Sequence, residues 1–234
     1  MAHLVKRIET PITAPIPVSS VLTQLKTAHQ YLVQLGVVAL QSANGTDVTD
    51  LWGTQMKRVK IVFPSGERPA LVSTDHEDHS LTEVINQCAT MERLIDALGW
   101  AIDNLPDYHL VRCHPTTSSQ KGDESTIPDN DIVLVNPSGQ LALFEVSDVS
   151  STNDGNRKEF KDLRSLGVRL VNMDDYPPEQ NPYINRLFMV VSEEFGERFR
   201  NRIKRKYYSK NQPYFRYQEH EVDGQTCIFE VLAR

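Results

Sequence analysis

Residues 127–151 read IPDNDIVLVNPSGQLALFEVSDVSS. Two apolar runs stand here, Asp131 to Val135 and Leu141 to Val149, joined by Asn136-Pro137-Ser138-Gly139. Short apolar runs bounded by turn residues are the pattern of buried strands. The short connection predicts an antiparallel hairpin. Side chains alternate along a strand, so Leu141, Leu143, Glu145, Ser147 and Val149 share one face. Ala142, Phe144, Val146 and Asp148 take the other. Glu145 therefore stands among apolar neighbours. A lone carboxylate in such a place is costly unless it is paired or binds a metal.

Upstream, Ser80-Leu81-Thr82-Glu83 is a capping-box pattern. It opens an amphipathic helix with Leu81, Val84, Ile85, Cys88, Met91, Ile95 and Leu98 on one side, ended by Gly99 or Pro106. Asp107 to His114 reads as a short strand, followed by a polar loop. Before that helix, VLTQLKTAHQYLVQL (Val21 to Leu35) has helical spacing, with Gly36 as its stop. MKRVKIVFPSGERPALVS predicts a hairpin in which Val59, Ile61 and Phe63 alternate and Pro64-Ser65-Gly66 turns the chain. The first eighteen residues are rich in proline and read as an extended arm.

Downstream, a short helix is expected over about 156–166 and a strand over Val168 to Val171. Leu187 to Val191 is a further buried strand, and a basic helix runs from Glu194 to Tyr208. Tyr214 to Leu232 reads as a closing hairpin around Asp223-Gly224. The element order implies the α/β class: a mixed central sheet flanked by helices. Residues 1–75 would be an N-terminal helix and hairpin elaboration. Residues 76–234 would be the α/β core, the two forming one compact unit.

The chain of 234 residues is long enough to bury a sizeable core. Apolar content of 39% and charged content of 24% fit an ordinary globular protein. No apolar run reaches the length of a membrane span, and MAHLVKRIETPITAP lacks a signal-peptide core, so a cytoplasmic protein with no membrane partner is expected. Cys88, Cys113 and Cys227 are odd in number, far apart and set in apolar surroundings, which reads as buried small hydrophobes rather than a disulfide framework or zinc knuckle. The Asp75-His76-Glu77-Asp78-His79 run mixes metal-ligand types but reads as a solvated loop before a capped helix. There is no GxSxG elbow and no P-loop, so no nucleotide cofactor is expected. Cys113 and His114, adjacent on a strand, would point to opposite faces.

The net charge of -6 is unevenly spread. Arg198 to Lys210 reads RFRNRIKRKYYSK, with four Arg, three Lys and no acid. Arg198, Arg202, Arg205 and Lys206 recur at helical spacing, while Phe195, Phe199 and Ile203 would pack inward. A basic stripe followed by Tyr207, Tyr208, Tyr214 and Tyr217 suits a surface that tracks phosphates. An exposed helix kept soluble by arginine is the other reading of the same stripe.

Phosphodiester hydrolysis needs charge neutralisation and an activated water, both of which a bound Mg²⁺ supplies. Mg²⁺ takes one or two protein carboxylates, best held on rigid neighbouring strands. Asp131 and Glu145 meet that description. PDND-IVLV followed by LALFEVSDV resembles the PD-(D/E)XK nuclease superfamily, the fold of many type II restriction endonucleases. The resemblance covers roughly residues 80–192, and its motif is short. It implies a restriction-endonuclease-like core with Asp131 and Glu145 as metal ligands. Asp129, in the loop before the strand, is the weaker claimant to the first role. Glu92 matches the further acid that the preceding helix often contributes. The family's lysine would stand two residues after the second acid, where this chain has Ser147. Lys158 or Lys161, in DGNRKEFKDLRSLG, would take over its work, although both lie off the apolar side set by Phe160, Leu163 and Leu166.

The expected function is thus a Mg²⁺-dependent (Mn²⁺ as substitute) restriction-type endonuclease acting on double-stranded DNA, with a homodimer as the form suited to cutting both strands. Arg198, Arg202, Arg205 and Lys206 would hold the backbone. A degenerate nuclease fold that binds nucleic acid or protein without cutting is the alternative, and Ser147 is its chief support. A further alternative is an interaction module with no nucleic-acid role. Should Glu145 hold no metal, it would pair with an arginine such as Arg112.

Overall fold

The computed structural model describes residues 16–42, 59–72, 78–113, 132–147, 184–206, 216–222 and 225–232. In chain order the elements are β1 (Ile16–Pro17), α1 (Val18–Ser42), β2 (Lys60–Val62), β3 (Asp78–Ser80), α2 (Leu81–Asn104), β4 (Leu110–Cys113), β5 (Ile132–Val135) and β6 (Leu141–Ser147). These are followed by β7 (Ile184–Ser192), α3 (Glu193–Lys206), β8 (Arg216–Glu221) and β9 (Thr226–Leu232). A seven-stranded mixed sheet has the order β1-β4-β5-β6-β7-β9-β8, and β2 and β3 form a separate two-stranded ribbon. The β6–β7 pair is parallel, and the other described pairs are antiparallel.

The hairpin read from residues 127–151 is present, with Ile132 opposite Phe144 and Val135 opposite Leu141. Its turn is fixed locally. The Asn136 N–H donates to Gln140 O at 3.0 Å, and the Gln140 N–H donates to Asn136 Oδ1 at 2.8 Å. Gly139 takes a φ of 80°, a conformation open to glycine at no steric cost. Both faces of β6 are covered, as befits a strand at the middle of a mixed sheet. Ala142, Phe144 and Val146 enter a first core with α1 and α2. Leu141 and Leu143 enter a second core with Met189, Phe229 and Phe195 of α3.

α2 begins as the capping box predicts. The Glu83 N–H donates to Ser80 Oγ at 3.3 Å, and the Ser80 N–H donates to Glu83 Oε2 at 2.8 Å. The helix passes through Gly99 and stops only at Leu105, ahead of Pro106. α1 likewise runs through Gly36, where a stop was expected, to Ser42. Glycine in a helix costs about 1 kcal/mol. Packing against α2 offsets this, since Gly36 is buried against Leu81.

The expected hairpin of residues 56–73 does not form among its described residues, 59–72. Val59, Ile61 and Phe63 do alternate, and Ile61 and Phe63 are buried, but β2 pairs with Asp78–Ser80. The end of the acidic, histidine-containing run is therefore a strand, with His79 buried against Phe63. Asp75, His76 and Glu77 lie outside the described residues. Val21, Leu25, Leu32, Ile61 and Phe63 share the first core with α2 and the sheet. The short helix and strand expected over 156–171 also lie outside the described residues.

β7 leads directly into α3, and Gly196 brings the helix close to β9. A Cβ at Gly196 would meet Cys227 Sγ at 2.9 Å and its Cβ at 3.3 Å. Gly196→Ala is expected to lose about 1–3 kcal/mol to overpacking, despite the better helix propensity of alanine. Urea denaturation of Gly196→Ala, Cys227→Ala and the double variant checks this. Most of the Gly196→Ala loss should vanish in the Cys227→Ala background.

Candidate metal and nucleic-acid site

Glu145 belongs to the central strand pair of the sheet, β6 and β7. Its register partner across the parallel seam is Met189, which in turn faces Phe229. Alternation sets it on the second face, with Leu141 and Leu143. The carboxylate is half-buried on a strand whose other described side chains are buried. This is the setting the sequence predicts for it.

The last described pair of the β5–β6 ladder is Ile132 with Phe144. The residues next along the two chain directions are Asp131 and Glu145. Asp131 itself, with Asp129, Lys158 and Lys161, lies outside the described residues. Ser147 ends β6, and its register partner is Val191.

Glu92 does not join Glu145. It stands on α2, half-exposed, with Oε1 3.2 Å from His29 Nε2 of α1. α2 packs on the first face of the sheet, through Met91, Leu94 and Leu98, and the sheet separates that helix from the face of Glu145. Glu92 was expected to follow the apolar side between Cys88 and Ile95. The helix instead buries its Arg93–Leu94–Ala97 flank against the sheet, which turns Glu92 toward α1. Among the described residues, no group of three or more His, Cys, Asp or Glu is placed to hold a metal ion. Glu145 offers the hard oxygen donor that Mg²⁺ prefers, and the carboxylate that the sequence resemblance would pair with it belongs to Asp131.

The basic helix lies on the same side of the sheet as Glu145. Phe195 packs into the second core, as its spacing predicts. Arg198, Arg202, Arg205 and Lys206 fall within α3, but their side chains, with those of Phe199 and Ile203, are outside what the structure describes, apart from the backbone they belong to. Arg200 is described and is engaged. Its Nε donates to Glu219 Oε2 at 2.8 Å, a second bond runs from its other nitrogen to Glu219 Oε1, and its guanidinium stands 5.7 Å from the Phe229 ring centre. The hydrogen-bonded guanidinium holds the Glu219 carboxyl below the ordinary carboxylate range, and Glu219 in turn pushes Arg200 upward. This arginine anchors α3 to β8.

Cys88 and Cys227 are free thiols, Cys227 buried and Cys88 half-buried, in keeping with a role as small hydrophobes. Burial, with the Glu92 carboxylate beside it, pushes Cys88 up to about 11. Burial also raises Cys227. Neither is a thiolate at neutral pH.

Two polar clusters on the first face escaped the sequence reading. Arg186 of β7 forms a two-pronged ion pair with Glu230 of β9, at 2.7 Å for each bond. His220 Nε2 of β8 lies 3.0 Å from the same carboxylate, and its ring is 4.8 Å from that of Trp100. Nearer the other end of β9, buried Arg93 donates to Thr226, whose hydroxyl donates to Asp96. Each cluster joins residues from different elements, so local spacing gave no sign of them. The one available signal was alternation, which sets Thr226, Ile228 and Glu230 on a single face.

No family model, curated protein or solved structure matches the chain. Among the described residues, no helix is long and apolar enough to cross a membrane.

Burial alone would raise the Glu230 carboxyl, but the hydrogen bonds from Arg186 and His220 outweigh it and hold the group below its ordinary value. A depressed folded-state value stabilises the fold above the unfolded carboxylate range, and that stabilisation is lost as the pH falls through the folded value. Glu230→Gln is expected to cost about 2–3 kcal/mol at pH 7, because Arg186 loses its charge partner. Urea midpoints taken between about pH 7 and pH 3 check this: the gap between wild type and variant should narrow as the pH drops.

Proposed function

We propose that the chain is a Mg²⁺-dependent endonuclease of the PD-(D/E)XK type that hydrolyses double-stranded DNA in a restriction setting. The observation that carries the reading is the shared face of Glu145 and α3. A carboxylate half-buried at the middle of the central sheet and a helix bearing Arg198, Arg202, Arg205 and Lys206 lie on one side of that sheet. A metal-bound phosphate needs that pairing of a rigid carboxylate with nearby cations. The order helix, strand, hairpin, parallel strand supports a restriction-endonuclease-like core within the mixed sheet.

On this reading Glu145 holds the metal together with Asp131, the next residue beyond the last described pair of the β5–β6 ladder. The bound ion would neutralise phosphate charge and lower the pKa of a coordinated water. Glu145 supplies a fixed anionic oxygen, and the buried strand around it limits its motion. Lys158 or Lys161 would stand in for the lysine missing at Ser147. α3 would hold the DNA backbone by charge alone, which sets register but reads no bases.

The binding-only alternative keeps the support of Ser147 and gains that of Glu92, which is engaged with His29 rather than with Glu145.

Plasmid and phage DNA incubated with the purified protein in Mg²⁺, then Mn²⁺, decides between them. Discrete fragments are expected from wild type. Asp131→Ala and Glu145→Ala should each slow cleavage more than about a hundredfold, the scale of losing a preorganised charge at the reacting phosphate. Glu92→Gln should cut as wild type does. Intact DNA under both metals, with binding that weakens steeply with salt, would favour the binding-only reading.

A further inference from the structure

The strand register sets Glu145 level with one point on α3. Glu145 of β6 is the partner of Met189 on β7, Met189 of Phe229 on β9, and Phe229 of Glu219 on β8. Residues paired across strands present their side chains to one face, so these four form a single rung across the second face. At its outer end Glu219 accepts the two-pronged bond from Arg200. The same guanidinium stands 5.7 Å from the Phe229 ring centre and donates to Cys227 Sγ at 3.7 Å. α3 therefore crosses the rung of Glu145 at residue 200.

A second contact fixes the path of the helix. Gly196 approaches Cys227 on β9, and Arg200 lies over Phe229, two residues further along that strand. Four helical residues rise about 6 Å, and two strand residues span about 7 Å. α3 thus runs along β9, with Arg200 on the flank toward β8, the strand at the far side from β6. At about 100° per residue, positions 198 and 202 both fall roughly 160° round the helix from 200. They share the opposite flank, toward β7 and β6. Among the described side chains of α3, Phe195 and Gly196 are the buried ones, and both belong to its first turn. The clamp at Arg200 is what fixes the turn of the helix beyond them.

We infer that Arg200 and Glu219 are a positioning pair: by locking α3 at the rung of Glu145, they hold Arg198 and Arg202 beside a phosphate bound at that carboxylate. The inference rests on the nucleic-acid reading above. It adds two residues to that reading, one of them an acid whose charge alone would oppose DNA.

That opposition makes the test sharp. Removing an acid from a DNA-binding surface ordinarily tightens binding. Arg200→Lys keeps the charge but loses the fork that grips both carboxylate oxygens. Charge alone thus predicts tighter binding for Glu219→Gln and no change for Arg200→Lys. Positioning predicts that both weaken it. Anisotropy of a labelled DNA duplex with the full chain in Ca²⁺, over roughly 50–200 mM salt, reads the difference. Each variant should bind about fivefold more weakly near 0.15 M salt, the scale of one lost phosphate contact. The slope of log affinity against log salt should become shallower by about one. Partial unfolding would lower the binding amplitude and leave that slope unchanged. Glu92→Gln, which removes an acid from the first face, should bind as wild type does. A wild type that binds no duplex even at the lowest salt would overturn the DNA reading and this inference together. A wild type that binds, with Glu219→Gln as tight or tighter, Arg200→Lys unchanged, or an unaltered salt slope in both, would overturn this inference alone.

Discussion

Phe144 and Phe188 stack nearly parallel across the β6–β7 seam, with ring centres 4.4 Å apart, and Trp100 of α2 closes on Phe188 at 5.3 Å. This aromatic contact couples the parallel register of the two central strands to the helix layer above them. The rest of the architecture depends on that register. A strand slipped by one residue turns every side chain to the opposite face. Here such a slip would drive Glu145 into the first core against α2, and would lift Phe144 out of it. The position of Glu145 on the second face is thus a by-product of large apolar rings finding each other on the first.

Much of this was legible in the chain. The alternation of Leu141, Leu143 and Glu145 against Ala142, Phe144 and Val146 was enough to separate the two faces. The Ser80–Glu83 box set the start of α2 to the residue. These features are local, and local chemistry decides them. What was not legible is the set of tertiary pairings. β2 chose Asp78–Ser80 over the nearer partner suggested by the turn at Gly66, since that choice buries Ile61 and Phe63 under α1 and α2. Gly36 did not end α1, since the packing of α1 against α2 outweighed its intrinsic cost. Glu92 lies on the flank of α2 that faces α1, beside His29. The Asp131 half of the motif remains a sequence reading, as do Lys158 and Lys161.

The charged residues of the first face show why apolar patterning alone missed them. Arg186, His220 and Glu230 sit on three adjacent strands and meet only because β9 lies between β7 and β8. Arg93, Thr226 and Asp96 meet only because α2 crosses β9. A buried charge is tolerated when a partner is fixed beside it, and removing either partner is costly. Both clusters therefore hold the edge of the sheet to the helix layer, and they specify the placement of β8 and β9 more tightly than apolar contact would.

The parallel pairing of β6 with β7 also shapes the order in which the chain assembles. The β5–β6 and β8–β9 hairpins join strands that are close in sequence, so each needs only a short loop to close. The central seam joins Leu141–Ser147 to Ile184–Ser192, across a far longer stretch of chain. Its closure costs more chain entropy, and nothing rewards that cost until the rings of Phe144 and Phe188 are in contact. Two local hairpins thus flank a seam that can close only once a much longer stretch of chain is spanned.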